Sequence, residues 1–242
     1  MKKHSLFIAD LHLSKQHPQR IQGFLTFLKT RANQAEAVYI LGDLFDVWVG
    51  DDHNSSLNKT LKTAFKTLTD ATPVFLQQGN RDFLIGKQFC DETGLQALED
   101  YTVINLYGTK TLLMHGDLLC SDDIAYQQFR QKSHTPEWQQ NILNKPLNLR
   151  LLMARWYRLR SLFHQRKKST EIMDVNQATL ENTLNQYQVT RLIHGHTHRP
   201  AVHDFTLNKT ATQRFVLDQW HNDSASILCW TAEGYKIETL YF

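Results

Sequence analysis

Cysteine is scarce in this chain of 242 residues. Cys90, Cys120 and Cys229 are odd in number, far apart and outside any Cys-x-x-Cys spacing. A disulfide framework and a thiolate zinc site are thereby disfavoured, and reduced thiols in a cytoplasmic protein are the expectation. Long apolar runs are lacking too. The start MKKHSLFIADLH is basic but has only four apolar residues before Asp10, too few for a signal-peptide core. No uninterrupted apolar stretch reaches membrane-spanning length. Internal repeats, low-complexity tracts and Pro/Gly/Ser linkers are absent, so one domain over residues 1–242 is expected. Charge of one sign does not dominate either: net +3 is too mild to argue for nucleic acid. What remains is a chain that is 41% apolar, enough for one sizeable core.

Within it, short β-like runs (SLFIAD, AVYILGD, TPVFLQQG, KTLLMHGD and RLIHGH) are separated over much of the length by helical segments such as IQGFLTFLKTRANQ and LNKTLKTAFKTLTD. That alternation indicates α/β layering. The C-terminal stretch TQRFVLDQWHNDSASILCWTAEGYKIETLYF reads as strands joined by turns, so a mixed sandwich with helices outside follows.

Each of the five runs ends in a residue type that binds metals. The first delivers Asp10 and His12, the second Asp43, the third Asn80, the fourth His115 and the fifth His196 and His198. Strand ends converge on one edge of a sheet, where loops on a rigid scaffold hold functional groups. Any one piece is more often a turn or a stray histidine than a ligand; five in series are not. Seven N/O donors are too many for one tetrahedral zinc but suit two ions, with a carboxylate such as Asp43 between them. Imidazole and carboxylate without thiolate point to Mn, Fe or Zn. Asp46 and Asp82 read as supporting or turn groups, and His194 as a core residue. His4, His17, His53, His134, His164, His203 and His221 have no motif around them.

In order, DLH, GDLFD, GNRD, HGD and GHTH resemble the signature of the calcineurin-like metallophosphoesterases, whose fold is a four-layer α/β/β/α sandwich carrying a two-metal site. More finely, GDLFDVWVGDD, GNRDF, HGDLLCSDD, IMDVN and LIHGHTHRPAVH are similar to the UDP-2,3-diacylglucosamine hydrolase (pyrophosphatase) family of lipid A biosynthesis. That resemblance implies cleavage of a pyrophosphate to UMP and 2,3-diacylglucosamine 1-phosphate by a two-metal-activated water. It implies two Mn ions, one on Asp10, His12, Asp43 and His198, the other on Asp43, Asn80, His115 and His196. Asn80 and His196 would also touch the substrate.

Most metallophosphoesterases carry histidine where this chain has Arg81, and a histidine can protonate a poor leaving group. A guanidinium stays charged and donates no proton, yet its rigid fork binds phosphate oxygens. Arg81 therefore suits a leaving group that needs no proton, such as the phosphate released from a pyrophosphate, and disfavours nucleic acid as substrate. Asp43, Asn80, Arg81 and His115 are the catalytic candidates.

Residues 144–169 carry eight Lys or Arg and no Asp or Glu, with Leu149, Leu152, Met153, Trp156, Leu159 and Phe163 near helical spacing. This reads as a solvated surface helix, or as a basic amphipathic helix for an anionic inner-membrane surface, from which a diacylated UDP-glucosamine lipid must come. A helical cap insertion over residues 124–170, covering acyl chains and phosphates, is expected. By resemblance Asp123, Tyr126, Arg158, Ser161, Gln165 and Lys168 meet the glucosamine and phosphate; Gln165 departs from a smaller polar side chain in the family. The expectation is a cytoplasmic enzyme, peripheral on the inner membrane, with no obligate protein partner. The other readings are a metallophosphoesterase acting on another nucleotide diphosphate or on nucleic-acid ends, and a membrane-associated binding module that has lost its chemistry.

Overall fold

The computed structural model describes residues 3–165 and 174–242; along residues 159–165 it describes the backbone alone. In chain order, β1 (Ser5–Ile8), α1 (Pro18–Thr30), β2 (Ala37–Leu41), α2 (Ser56–Thr69), β3 (Val74–Gln77), α3 (Lys87–Thr93) and β4 (Gln96–Leu98) lead to β5 (Thr102–Leu106) and β6 (Thr109–Leu113). The helices α4 (Ile124–Ser133), α5 (Pro136–Leu143), α6 (Leu147–Gln165) and α7 (Gln177–Tyr187) follow. The strands β7 (Arg191–His194), β8 (Ala201–Leu207), β9 (Thr210–Val216), β10 (Ser224–Thr231) and β11 (Gly234–Tyr241) complete the chain.

Two sheets stack. The first runs β11-β10-β1-β2-β3-β4 and the second β5-β6-β7-β9-β8. Strands β1 to β4 pair in parallel, with Ser5 opposite Ala37 and Val38 opposite Val74. Every residue of β1 is buried, as a parallel strand covered on both faces requires. The helices between these strands show why they form where they do. Pro18 opens α1, where its missing N–H costs nothing. Ser55 caps α2 by accepting from the Asn58 N–H, and Leu61, Phe65 and Leu68 then fall on one buried stripe.

Three apolar clusters define the layers. Phe24, Phe27, Phe65 and Phe89 pack with Trp220 on the helical side of the first sheet. Phe7, Leu41, Leu113, Phe215 and Trp230 fill the space between the sheets. Leu112, Met114, Leu180, Leu184 and Leu192 join the second sheet to α7. The result is the α/β/β/α sandwich expected from sequence. Among the described residues, no helix is long and apolar enough to cross a membrane.

Candidate metal centre

The ends of β1, β2, β3, β6 and β7 meet along one edge shared by both sheets. All seven ligand-type residues named from sequence are brought together there. Backbone strain helps to aim them: Asp10, His12, Asp43, His196 and His198 all have positive φ, between 48° and 70°. Asp and His tolerate this left-handed region better than most residues, and non-glycine examples gather at functional sites. Small neighbours allow the approach. A Cβ on Gly79 would lie 2.2 Å from Asp43 Oδ1, and one on Gly195 would lie 2.4 Å from Asp10 Oδ2.

Asp43 stands in the middle, 2% exposed. Its Oδ2 is 3.7 Å from His12 Nδ1, whereas its Oδ1 is 3.8 Å from His115 Nε2. On one side, His198 Nε2 lies 3.4 Å from both Asp10 Oδ1 and His12 Nε2. On the other, Asn80 Oδ1 lies 3.0 Å from His115 Nε2 and 2.9 Å from His196 Nδ1. His115 donates its Nδ1–H to the Leu41 carbonyl at 2.9 Å, which turns Nε2 toward the site. The His196 backbone N–H donates to Asp10 Oδ2, and the Arg81 backbone N–H to Asp43 Oδ1.

The buried carboxylates and imidazoles shift one another. Burial pushes His12 down to about 2 with help from Arg81, and His196 down to about 4 with help from His115, so both rings are neutral. Burial raises the Asp43 carboxyl to about 7, with Asp82 and Asp10 adding to it. Burial would lower His115, but Asp43, Asp10 and Asp117 outweigh it and carry the ring up to about 9. Burial would raise Asp10, yet the close imidazole of His198 and the charge on His115 hold it well below the usual carboxylate range.

Two groups, Asp10 with His12 and His198, and Asp10 with Asp43 and His115, have ligand atoms within 4.8 Å of one another. Among the described residues the buried Asp10 Oδ1 and His12 Nδ1 have no hydrogen-bond partner, which a divalent ion would satisfy. Oxygen and imidazole donors of this kind fit Mn, Fe or Zn.

Other residues named from sequence lie nearby. Arg81 Nε is 3.6 Å from Asp43 Oδ2, and its Nη1 is 3.2 Å from Asp46 Oδ1. Asp82 accepts from the N–H groups of Gly79 and Phe45, which shapes the loop. His194 is fully buried and donates to the Gly195 carbonyl. Asp123 caps α4 by accepting from the Tyr126 N–H, while the Tyr126 hydroxyl bonds Asp117 and its ring lies 6.2 Å from that of His196. Arg158, on α6, pairs with the second oxygen of Asp46. The side chains of Ser161 and Gln165, and the whole of Lys168, lie outside the described residues.

Sequence reasoning missed the anchors. Asp117 holds Arg130 at 2.7 Å, and Arg130 also reaches Asp100 at 2.8 Å. Arg150, 4% exposed, donates to the Val49 and Lys145 carbonyls and pairs with Asp52. Phe83, directly after the Gly79–Asp82 loop, stacks on His134 at 4.9 Å and lies 6.4 Å from Phe129, whose ring is 5.6 Å from Tyr157. The one local signal was the acidic run in GDLFDVWVGDD, which places carboxylates at 46, 51 and 52.

Residues 4–200 match the family model described as calcineurin-like phosphoesterase. A UDP-2,3-diacylglucosamine hydrolase of Vibrio parahaemolyticus is 44% identical over 240 residues, covering 98% of each chain. Relatives of the same name from Serratia proteamaculans and Salmonella paratyphi B are 48% and 46% identical, each covering 92% of this chain and 93% of their own. The chain belongs to the calcineurin-like phosphoesterases and, among them, to the family whose curated members carry the name UDP-2,3-diacylglucosamine hydrolase.

Proposed function

We propose that this protein hydrolyses the pyrophosphate bond of UDP-2,3-diacylglucosamine, yielding UMP and 2,3-diacylglucosamine 1-phosphate for lipid A biosynthesis. The observation that carries this reading is Asp43 between two imidazole groups, one facing each carboxylate oxygen, with Arg81 beside it, in a chain whose near-full-length relatives bear that hydrolase name. Two Mn ions are proposed, the first on Asp10, His12, Asp43 and His198, the second on Asp43, Asn80, His115 and His196. Bound there, they would supply Lewis-acid stabilisation and an activated water.

The chain's own groups do the rest. Asn80 and His196 contact the phosphate from the β3 and β7 loops. Arg81 holds charge that builds on the phosphate oxygens and donates no proton, which suffices for a phosphate leaving group. Residues 124–170 act as a cap over the site. Leu149, Leu152 and Trp156 on α6 are 43%, 63% and 54% exposed, which supports a role in covering acyl chains or lying on the inner-membrane surface. Asp123, Tyr126, Arg158, Ser161, Gln165 and Lys168 are assigned to the sugar and its phosphate.

Purified protein with Mn and UDP-2,3-diacylglucosamine should release UMP, while a cyclic nucleotide and DNA give at most a trace of product. Equal turnover of the DNA control would overturn the substrate assignment.

A further inference from the structure

Arg81 has two carboxylates within reach and is held between them. Its Nε lies 3.6 Å from Asp43 Oδ2, the oxygen that also faces His12, and its Nη1 lies 3.2 Å from Asp46 Oδ1. A guanidinium favours two parallel N–H bonds to one carboxylate, and nothing in its chemistry prefers Asp46. Asp46, however, is fixed in place. Its backbone N–H donates to the Leu13 carbonyl at 3.2 Å, its side chain is 8% exposed, and its Oδ2 is taken by Arg158 of α6. One carboxylate thus holds a different guanidinium on each oxygen and screens two like charges from each other.

We infer that Asp46 is a positioning residue that draws the Arg81 guanidinium away from Asp43, leaving Asp43 Oδ2 open to a divalent cation and the rest of the fork open to substrate. This rests on the reading of the seven donors as a metal centre. Without charge at position 46, Asp43 is the one carboxylate left to Arg81 among the described residues. Arg81 then closes on Asp43 and competes with the ion for the same oxygen. A purely structural Asp46, serving only to dock α6 through Arg158, would leave metal affinity untouched.

The two roles separate in Mn binding, measured by titration calorimetry on wild type, Asp46→Asn, Arg81→Ala, Asp46→Asn with Arg81→Ala, and Asp46→Glu, with circular dichroism to verify folding. Asp46→Asn should bind Mn at least about tenfold more weakly, in the range typical of groups that support metal ligands. Adding Arg81→Ala should restore affinity to that of the Arg81→Ala single variant, because no guanidinium remains to close on Asp43. Asp46→Glu, which keeps the charge, should bind like wild type. Undiminished affinity in Asp46→Asn, or a loss that Arg81→Ala does not restore, overturns the inference. Wild type that binds no Mn overturns the metal-centre reading, and the inference with it.

Discussion

The strand-end edge and the helices α4 to α6 lie next to each other but are held in opposite ways. At the edge, Asp10 is 0% and Asp43 2% exposed, five residues carry left-handed backbone, and the His115 ring is held by the Leu41 carbonyl. On α6, Leu152 and Trp156 face solvent, and the described links to the rest of the molecule are few: Arg150 to the 49–52 loop, Arg158 to Asp46 and the aromatic chain from Phe83 to Tyr157. The edge is preorganised, as developing charge in a transition state demands. The helices keep exposed apolar surface, as the proposed role of covering acyl chains requires.

Breaking the edge should have the largest effect. Asp43→Ala is expected to lower turnover of the UDP-lipid by at least about two orders of magnitude, roughly 2.7 kcal/mol, because both oxygens face ligand groups and no neighbour duplicates them. The fold should persist, since a buried carboxylate is removed and not created. Kinetics in added Mn, with circular dichroism alongside, measure it; a variant within tenfold of wild type would mean that the two histidine groups act without their central carboxylate.

Loosening the helices should have a smaller and different effect. Arg150→Met removes the bonds to the Val49 and Lys145 carbonyls and the pair with Asp52, whose side chain is 57% exposed and so contributes little. A loss on the order of 2 kcal/mol in urea unfolding is expected, mostly from the buried carbonyl left without a donor. The KM for the lipid should rise while Mn content stays constant. Metal loss in Arg150→Met would erase the distinction between the two regions.

The smallest effect is the pH dependence that one group, His134 at the end of α4, adds. Burial, and then the charge of Arg130, lowers His134 from its ordinary 6.5, and its ring stacks on Phe83. A histidine with a depressed folded pKa binds fewer protons folded than unfolded. Its stabilisation is therefore complete above about 6.5 and fades as pH falls below that value. The melting temperature of wild type should drop more between pH 7 and pH 5 than that of His134→Gln; parallel slopes would remove His134 as the cause.

What could be read from sequence follows the same division. The strands β1, β2, β3, β6 and β7 each carry a short apolar run that leads into a ligand type, so both the layers and the seven ligand-type residues were legible in SLFIADLH, AVYILGD, TPVFLQQGN, KTLLMHGD and RLIHGHTH. The short β4 and the half-exposed β5 and β8 carry no such run and were not singled out. The anchors escaped for another reason. Arg150 and Asp52 are 98 positions apart, and Arg158 meets Asp46 across a similar gap, so no local period records either pair. Helix α6 itself was visible in the basic, acid-free run of residues 144–169, of which 144–165 are described, but its fastening was not.

The two sheets also share the site unequally in time. Asp10, His12, Asp43 and Asn80 follow strands of the first sheet, whereas His115, His196 and His198 follow strands of the second. Strand β1 takes as its antiparallel neighbour β10, with Ser5 opposite Trp230. A ribosome must therefore release most of the chain before the first strand gains both neighbours or the donor ring closes. Pairings so distant in sequence slow folding. On the proposed reading of the site, metal capture would be a late event, waiting until the residues of the second sheet join those of the first.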